Sequence, residues 1–172
     1  MENAATALNL ASAVRHNAAL TPDAEAIVWN DTRITYAQFD AMSDRVANAI
    51  TTLGIAPGDK VALLCPNLPY FPIVYYGILK AGAVVVPTCV LFSAREIEYQ
   101  LRDSDAKAIF AFEGTPELPM GKFAKTAFDN VETCEHFVVM TADPSGASPF
   151  DGHPTLAGLL ASASDKFEIY PT

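Results

Sequence analysis

The stretch PGDKVALLCPNLPYFPIVYYGILKAGAVVVPTCVLFSAREIEYQL, residues 57–101, contains the signals that decide the fold. Its continuous apolar run Val61–Leu64 is typical of a strand that is buried on both faces of a parallel sheet. Apolar residues then recur at helical spacing as far as Gly82, which suits the left-handed position just past a helix end. A second apolar run, Val84–Val86, predicts another buried strand. The stretch therefore predicts a βαβ unit with the usual right-handed crossover.

The flanking sequence continues this alternation of strands and helices. Capping boxes formed by Thr35 with Gln38 and by Ser93 with Glu96 mark the start of two further helices, and Pro72 delays the start of the central helix to about Phe71. Other predicted helices cover residues 8–17, 122–131 and 155–163, and other predicted strands cover residues 26–29, 33–35, 107–112, 137–140 and 167–170. This pattern predicts an α/β fold, a doubly wound and mostly parallel sheet with helices on both faces, in a single domain over residues 1–172.

Composition indicates a globular chain and argues against two classes of partner. The sequence is 51% hydrophobic and 18% charged, which is typical of a folded domain. Its net charge of -9 argues against nucleic acid and against an anionic membrane surface, because both attract basic proteins. The longest apolar region, Phe71–Val86, is interrupted by Pro72 and Lys80, so no transmembrane segment is predicted. The three cysteines form no C-x-x-C pair, which favours reduced thiols in a cytoplasmic protein.

A search for a complete catalytic or binding site finds none in the sequence. Two glycines in Gly77–Gly82 have phosphate-loop spacing, but Ala83 and Val84 stand where a lysine and a hydroxyl residue are required. No G-x-G-x-x-G follows a strand, which argues against a Rossmann-type dinucleotide site. No histidine or cysteine has a neighbour at zinc-ligand spacing, so His16, His136 and His153 are interpreted as ordinary histidines. The sequence therefore predicts no catalytic, cofactor-binding or metal-binding residue.

Five segments occur in a fixed order along the chain: Arg33–Tyr36, Gly58–Ala62, Pro66–Asn67, Leu79–Pro87 and Glu96–Asp105. Together they resemble the N-terminal part of the AMP-forming adenylating enzymes, which include the acyl-CoA synthetases and fatty-acid-CoA ligases. The resemblance covers residues 10–112. It implies a parent ligase that uses ATP and Mg²⁺ to convert a carboxylic acid, a fatty or related hydrophobic one, into an acyl-adenylate, and then transfers the acyl group to coenzyme A.

The same resemblance explains why no site is found. The ATP-handling motifs of that family lie further along the chain, so the resemblance implies an N-terminal fragment that is inactive alone, binds no cofactor and packs against the remainder of its parent. Self-association, as a homodimer, is a further expectation, because apolar surface would be left uncovered. The alternative from another class is a stand-alone, non-catalytic α/β domain that acts as an interaction or regulatory module.

For two groups of residues, the sequence allows either a place in the hydrophobic core or a functional role. Cys65 and Cys89 follow the two central strands, at the sheet edge where open α/β folds bind ligands, but burial as small apolar side chains is the favoured interpretation. Four aromatic residues are candidates for an acyl channel, although aromatics at helical spacing more often belong to the core: Tyr70, Phe71, Tyr75 and Tyr76.

Overall fold

A computed structural model describes residues 8–171, in which six helices and six strands form. The domain predicted over residues 1–172 thus includes residues 1–7 and 172, which lie outside the described residues. In chain order the elements are α1 (Ser12–Leu20), β1 (Glu25–Trp29), β2 (Thr32–Thr35), α2 (Tyr36–Thr52), β3 (Lys60–Leu64), α3 (Tyr70–Lys80), β4 (Val84–Pro87), α4 (Ala94–Ser104), β5 (Ala106–Phe112), α5 (Met120–Asp129), β6 (His136–Met140) and α6 (Leu156–Leu160).

The strands form two sheets, and the larger one is doubly wound as predicted. Strands β1 and β2 make an antiparallel hairpin, whereas the other four strands are parallel in the order β4-β3-β5-β6. The chain moves in one direction across the sheet from β3 to β4 and in the opposite direction from β4 to β5 and β6. Because each crossover is expected to be right-handed, α3 lies on one face, and α4 and α5 lie on the other. Accordingly, α2 packs on α3, and α4 packs on α5.

The core lies on both sides of β3 and β5. Val61–Leu64 and Ala108–Ala111 are fully buried, and most of β6 is buried with them. Such continuous burial is expected for inner strands of a sheet that is covered on both faces. Each large aliphatic side chain removed from water contributes about 1.5–3 kcal/mol, so these strands supply much of the driving force for folding.

Local signals in the sequence set the helix ends. Thr35 Oγ1 accepts a hydrogen bond from the Gln38 backbone N–H (3.3 Å), and Gln38 Oε1 accepts one from the Thr35 N–H (2.9 Å), so the predicted capping box is confirmed. Gly82 has a φ of 77°, which confirms its predicted left-handed position after α3. Helix α3 starts at Tyr70, so Pro72 lies in the first turn, where a missing N–H breaks no intrahelical bond.

Several predicted elements differ from the structure. Strand β4 was expected to be buried, but it lies at the edge of the sheet and Val84 is 46% exposed. A run of valines does not distinguish an edge strand from an inner one, because both favour β-branched residues. The predicted strand over residues 167–170 is irregular, since its backbone bonds to side chains and to a helix end rather than to a strand. Helices α1, α5 and α6 begin at Ser12, Met120 and Leu156, and α6 has only five residues.

The terminal segment, residues 164–170, crosses the layer formed by α1, α2 and α3. The Asn48 side chain donates to the carbonyls of Ser164 (2.9 Å) and Lys166 (3.0 Å). The Asn9 side chain donates both to the Tyr170 carbonyl (3.0 Å) and to a carbonyl at the end of α3 (2.7 Å). The Tyr170 N–H completes the attachment by donating to the Lys80 carbonyl at 2.9 Å. Side-chain amides therefore replace the strand pairing that this segment lacks.

Candidate functional site

The chain reverses its direction of travel across the sheet between β3 and β5. In open α/β sheets, ligands bind at this point, outside the carboxyl ends of the strands. Here the hairpin β1–β2 stands beside the carboxyl end of β5 and the first turn of α3, and it leaves a cleft between them. We call it the switch-point cleft. It is the part of the described chain that is placed and shaped like a ligand site.

The switch-point cleft has a volume of about 420 Å³, within the range of small-molecule pockets. Its walls come from the hairpin, from α2, from the start of α3 and from the segments after β5 and β6. The lining is mostly aliphatic and aromatic: Trp29, Thr32, Ile34, Met42, Leu68, Pro69, Tyr70, Ile73, Phe112, Ala142 and Pro144. Such a lining favours an apolar ligand, because a buried polar group without a partner is costly.

Three polar groups near the cleft are already paired within the chain. The Tyr70 hydroxyl donates to the Thr141 carbonyl at 3.2 Å. At the carboxyl edge, the Glu113 N–H donates to the Met140 carbonyl (2.9 Å), and the Ala142 N–H donates to Glu113 Oε1 (2.7 Å). Burial, followed by the negative charges of Asp143 and Glu113, raises the pKa of the Tyr70 phenol. Tyr70 therefore stays neutral and acts as a hydrogen-bond donor, not as a base.

The structure brings only one of the four candidate aromatics into this cleft. Tyr70 lines it, whereas Phe71, Tyr75 and Tyr76 pack near one another on α3. The ring centroids of Phe71 and Tyr75 are 5.8 Å apart, and those of Tyr75 and Tyr76 are 5.9 Å apart. Tyr76 also meets Phe39 of α2 edge-to-face at 5.3 Å. Tyr75 lines a separate groove of about 340 Å³ at the amino end of β4, the amino-end groove. The four-residue channel does not form, because only Tyr70 reaches the cleft while the other three rings pack along α3.

The two candidate cysteines differ in their surroundings. Cys65 is buried just after β3, and burial raises the pKa of its thiol to about 12, so it stays protonated at neutral pH. This result fits the favoured interpretation of Cys65 as a small apolar residue. Cys89 is exposed after β4, so the corresponding interpretation of Cys89 as a buried residue is wrong.

The histidines form no site within residues 8–171. His153 meets the rings of Phe128 and Phe137 at 5.5 and 5.2 Å, and burial together with the Lys125 charge lowers its pKa. Across the described residues, no three His, Cys, Asp or Glu side chains converge as metal ligands would. None of the helices formed by residues 8–171 is long and apolar enough to cross a lipid bilayer.

A buried charge cluster, which we call the α2–α3 ion cluster, holds α3 and therefore the cleft wall in place. The side chain of Lys80 is completely buried, and its ammonium lies 2.6 Å from both Asp40 Oδ1 and Asp44 Oδ1. Arg15 of α1 contacts the same two carboxylates at 2.6 Å and also donates to the Phe167 carbonyl. The sequence contains a signal for this ion cluster. Asp40 and Asp44 are four residues apart on α2, and Lys80 is the cation of an otherwise apolar helix.

Comparison with known proteins identifies the family. The model of a family described as "AMP-binding enzyme" matches residues 14–156. The chain belongs to this family of AMP-binding enzymes. The match begins at Val14 within α1 and ends at the first residue of α6, and it includes every element around the switch-point cleft. It confirms the family resemblance that the five ordered segments suggested.

The similar curated sequences include proteins named as fatty-acid-CoA ligases. The long-chain-fatty-acid--CoA ligase FadD13 of Mycobacterium tuberculosis is 40% identical over 114 residues, which are 65% of this chain and 22% of that protein. A long-chain-fatty-acid--CoA ligase of Bacillus subtilis is 36% identical over 104 residues, or 60% of this chain and 19% of that protein. The chain spans about a fifth of the length of these relatives.

Solved structures of CoA ligases share the fold. The anthranilate CoA ligase AuaEII, in complex with anthranoyl-AMP, superposes with a TM-score of 0.86 at 23% identity, over 97% of this chain and 30% of that one. A benzoate CoA ligase from Burkholderia xenovorans LB400 superposes with a TM-score of 0.79 at 22% identity, over 96% of this chain and 31% of that one. These similarities confirm the α/β architecture.

Proposed function

We propose that this chain is the N-terminal scaffold of an acyl-CoA synthetase that activates a fatty or related hydrophobic acid. The observation that carries the proposal is membership of the AMP-binding family, together with 40% identity to a protein named as a long-chain-fatty-acid--CoA ligase. The parent would use ATP and Mg²⁺ to form an acyl-adenylate and pyrophosphate, and would then transfer the acyl group to the thiol of coenzyme A. We further propose that it works in the cytoplasm and that these residues form one domain of it.

The described residues would supply the scaffold and not the phosphate chemistry. Attack of a carboxylate on phosphorus requires cations and hydrogen-bond donors that stabilise the charge on the phosphates. In the described chain, the most concentrated positive charge, that of Arg15 and Lys80, is already neutralised by Asp40 and Asp44. The chain alone is therefore expected to form no adenylate, and to depend on the remainder of its parent for that step.

The proposal is tested by acid-dependent exchange between pyrophosphate and ATP in the parent protein. We expect exchange with medium- or long-chain acids and little with short or aryl acids, since the sequence relatives are named for fatty acids. A folded parent that shows no exchange with any acid in the panel would contradict the synthetase function. That result would favour the alternative, a non-catalytic interaction or regulatory domain.

A further inference from the structure

The outer face of α4 presents an exposed aromatic ring between two opposite charges. Arg95, Tyr99 and Asp103 follow one another at four-residue spacing, so they form one row along the helix. We call it the α4 row. Tyr99 lies on the side of the helix opposite the buried Ile97 and Leu101, and it is 70% exposed. An outward tyrosine of this kind is typical of the centre of a protein–protein interface.

The two charges of the α4 row have no partner in the described part of the chain. On the same helix, Arg102 pairs with Glu98 at 3.1 Å. Within residues 8–171, by contrast, neither Arg95 nor Asp103 makes an ion pair. The row therefore presents a free cation before its aromatic ring and a free anion after it, an arrangement that is complementary to its own reverse.

We propose that two copies of this chain bind each other through the α4 row, with the two helices antiparallel and a twofold axis at Tyr99. Arg95 and Asp103 each lie about 6 Å along the helix from Tyr99. The axis therefore places Arg95 opposite the partner's Asp103, and it does so twice. Rows at four-residue spacing pack on one another at roughly 50° with helix axes about 8–10 Å apart, a separation that an arginine side chain spans.

The surface beside the α4 row has the shape that this pairing needs. A groove of about 420 Å³ runs along the row, and Phe92, Tyr99 and Gln100 contribute to its walls together with both charges. Under the twofold axis each copy offers one tyrosine ring and one groove to receive it. A tyrosine suits this position, because its ring is buried while its hydroxyl stays at the wet rim of the contact.

The edge of the large sheet is a less suitable contact, although β4 is exposed there. The N–H groups of Val84 and Thr88 bond to β3, so by alternation Pro87 faces outward. Proline has no N–H to offer another strand, and its carbonyl already accepts a hydrogen bond from the Gln100 side chain at 3.1 Å. The edge is therefore protected against strand pairing, whereas the α4 row beside it is open.

The inference is tested first by sedimentation equilibrium of this chain over a wide range of concentration. A helix of 11 residues is only about 16 Å long, so the contact is small and the dimer should be weak and reversible. We expect a monomer–dimer equilibrium without larger species, because a twofold contact closes on itself. A chain that stays monomeric throughout, or that forms open-ended oligomers, would overturn the inference.

Charge reversal tests the antiparallel pairing. Arg95→Asp leaves acids at both ends of the row and Asp103→Arg leaves bases at both ends, so each variant alone should dimerise at least about tenfold more weakly. An equal mixture of the two variants should dimerise again, because acids then meet bases. The double variant, whose net charge equals that of the unchanged chain, should match it within about threefold. Both substitutions also suit the helix dipole, which keeps the fold intact.

Recovery in the mixture and in the double variant is a gain of association, so misfolding cannot imitate it. Absence of that recovery would overturn the inference. Lys166→Asp is the matched control for charge, because Lys166 is exposed on the terminal segment, which crosses the other helix layer. It makes the same change in net charge as Arg95→Asp and should leave dimerisation unchanged. Equal losses from these two variants would mean that net charge, not the α4 row, governs association.

The aromatic centre is tested by Tyr99→Ala, which should weaken dimerisation by about tenfold or more. Leu20→Ala removes a comparable exposed apolar side chain, 66% exposed at the end of α1, and should have no effect. Equal losses in the two variants would overturn the inference, because they would indicate unspecific apolar association.

The parent protein supplies the last test. If the remainder of the parent covers the α4 row, the parent stays monomeric at concentrations where this chain dimerises, and that result overturns the inference. Dimerisation of the parent with the same response to charge reversal supports it. The residues that line the switch-point cleft do not come from α4. Pyrophosphate exchange and dimerisation can therefore fail separately, and loss of the proposed function is distinguishable from loss of this interface.

Discussion

A single substitution at Lys80 should destabilise the domain severely. The ammonium of Lys80 is buried and contacts Asp40 Oδ1 and Asp44 Oδ1 at 2.6 Å and the Asp40 carbonyl at 2.9 Å. Lys80→Met keeps much of the side-chain volume but leaves two largely buried carboxylates, 13% and 4% exposed, to share Arg15 alone. Removal of one partner from a buried ion pair typically costs about 3–5 kcal/mol.

We expect the free energy of unfolding to fall by about 3 kcal/mol, the lower end of this range, because Arg15 still contacts both carboxylates. For a domain of this size each kcal/mol lowers Tm by roughly 2–4 °C, so Lys80→Met should lower it by about 6–12 °C. Urea and thermal unfolding measure this change. Adding Asp44→Asn should recover part of the loss, since it removes one of the two carboxylates that then compete for Arg15.

Lys125→Met provides the matched control. Lys125 contacts Asp129 at the same 2.6 Å, but that carboxylate is 54% exposed. An exposed pair on one helix contributes about 0.3–0.5 kcal/mol, so the control should change Tm by less than about 2 °C. Equal effects of the two lysine substitutions would refute the reasoning, because the shortest contacts match in length, whereas Lys80 is buried between two carboxylates and Lys125 pairs with one exposed carboxylate.

Three further changes have defined outcomes. Gly82→Val should lower the free energy of unfolding by about 1–3 kcal/mol because of strain at positive φ. The loss should exceed that of Gly58→Val, because an added Cβ at Gly82 meets the Tyr170 ring at 2.6 Å, whereas at Gly58 it meets nothing within 4 Å. Equal losses in urea unfolding would contradict this. The lowered pKa of His153 means that the unfolded chain binds its proton more readily, so this residue's stability contribution is present above about pH 6.5 and is lost as the pH falls; His153→Asn should flatten that part of the profile. Mg·ATP should bind the chain no better than about millimolar in calorimetry, and micromolar binding would mean that a nucleotide site lies within these residues.

The central unit was predictable because its signals are local. Continuous apolar runs, the Thr35–Gln38 capping box and the glycine after α3 each act within a few residues, and the structure confirms them. The edge position of β4 was not predictable in the same way. It depends on which strands lie beside β3, and Val84–Val86 would look the same at the centre or at the edge of a sheet.

The candidate site was missed for a related reason. Residues that line the switch-point cleft come from segments as far apart as Trp29 and Pro144, and only the packing of the hairpin against the larger sheet brings them together. The α2–α3 ion cluster is similar, because Asp44 and Lys80 are 36 residues apart in the chain. Periodicity alone places Asp44 and Lys80 on helices and says nothing about which helices meet.

The attachment of the terminal segment also sets an order of events during synthesis. The bond from Asn9 to the Tyr170 carbonyl joins residues 161 positions apart. At a synthesis rate of about 5–20 residues per second, Tyr170 is added roughly 8–32 seconds after Asn9. During that interval α1, α2 and α3 are already translated, but the surface that receives residues 164–170 is still open to water. Closure of this layer therefore cannot precede translation of residues 164–170, so the layer is completed only after α1, α2 and α3 have all been made.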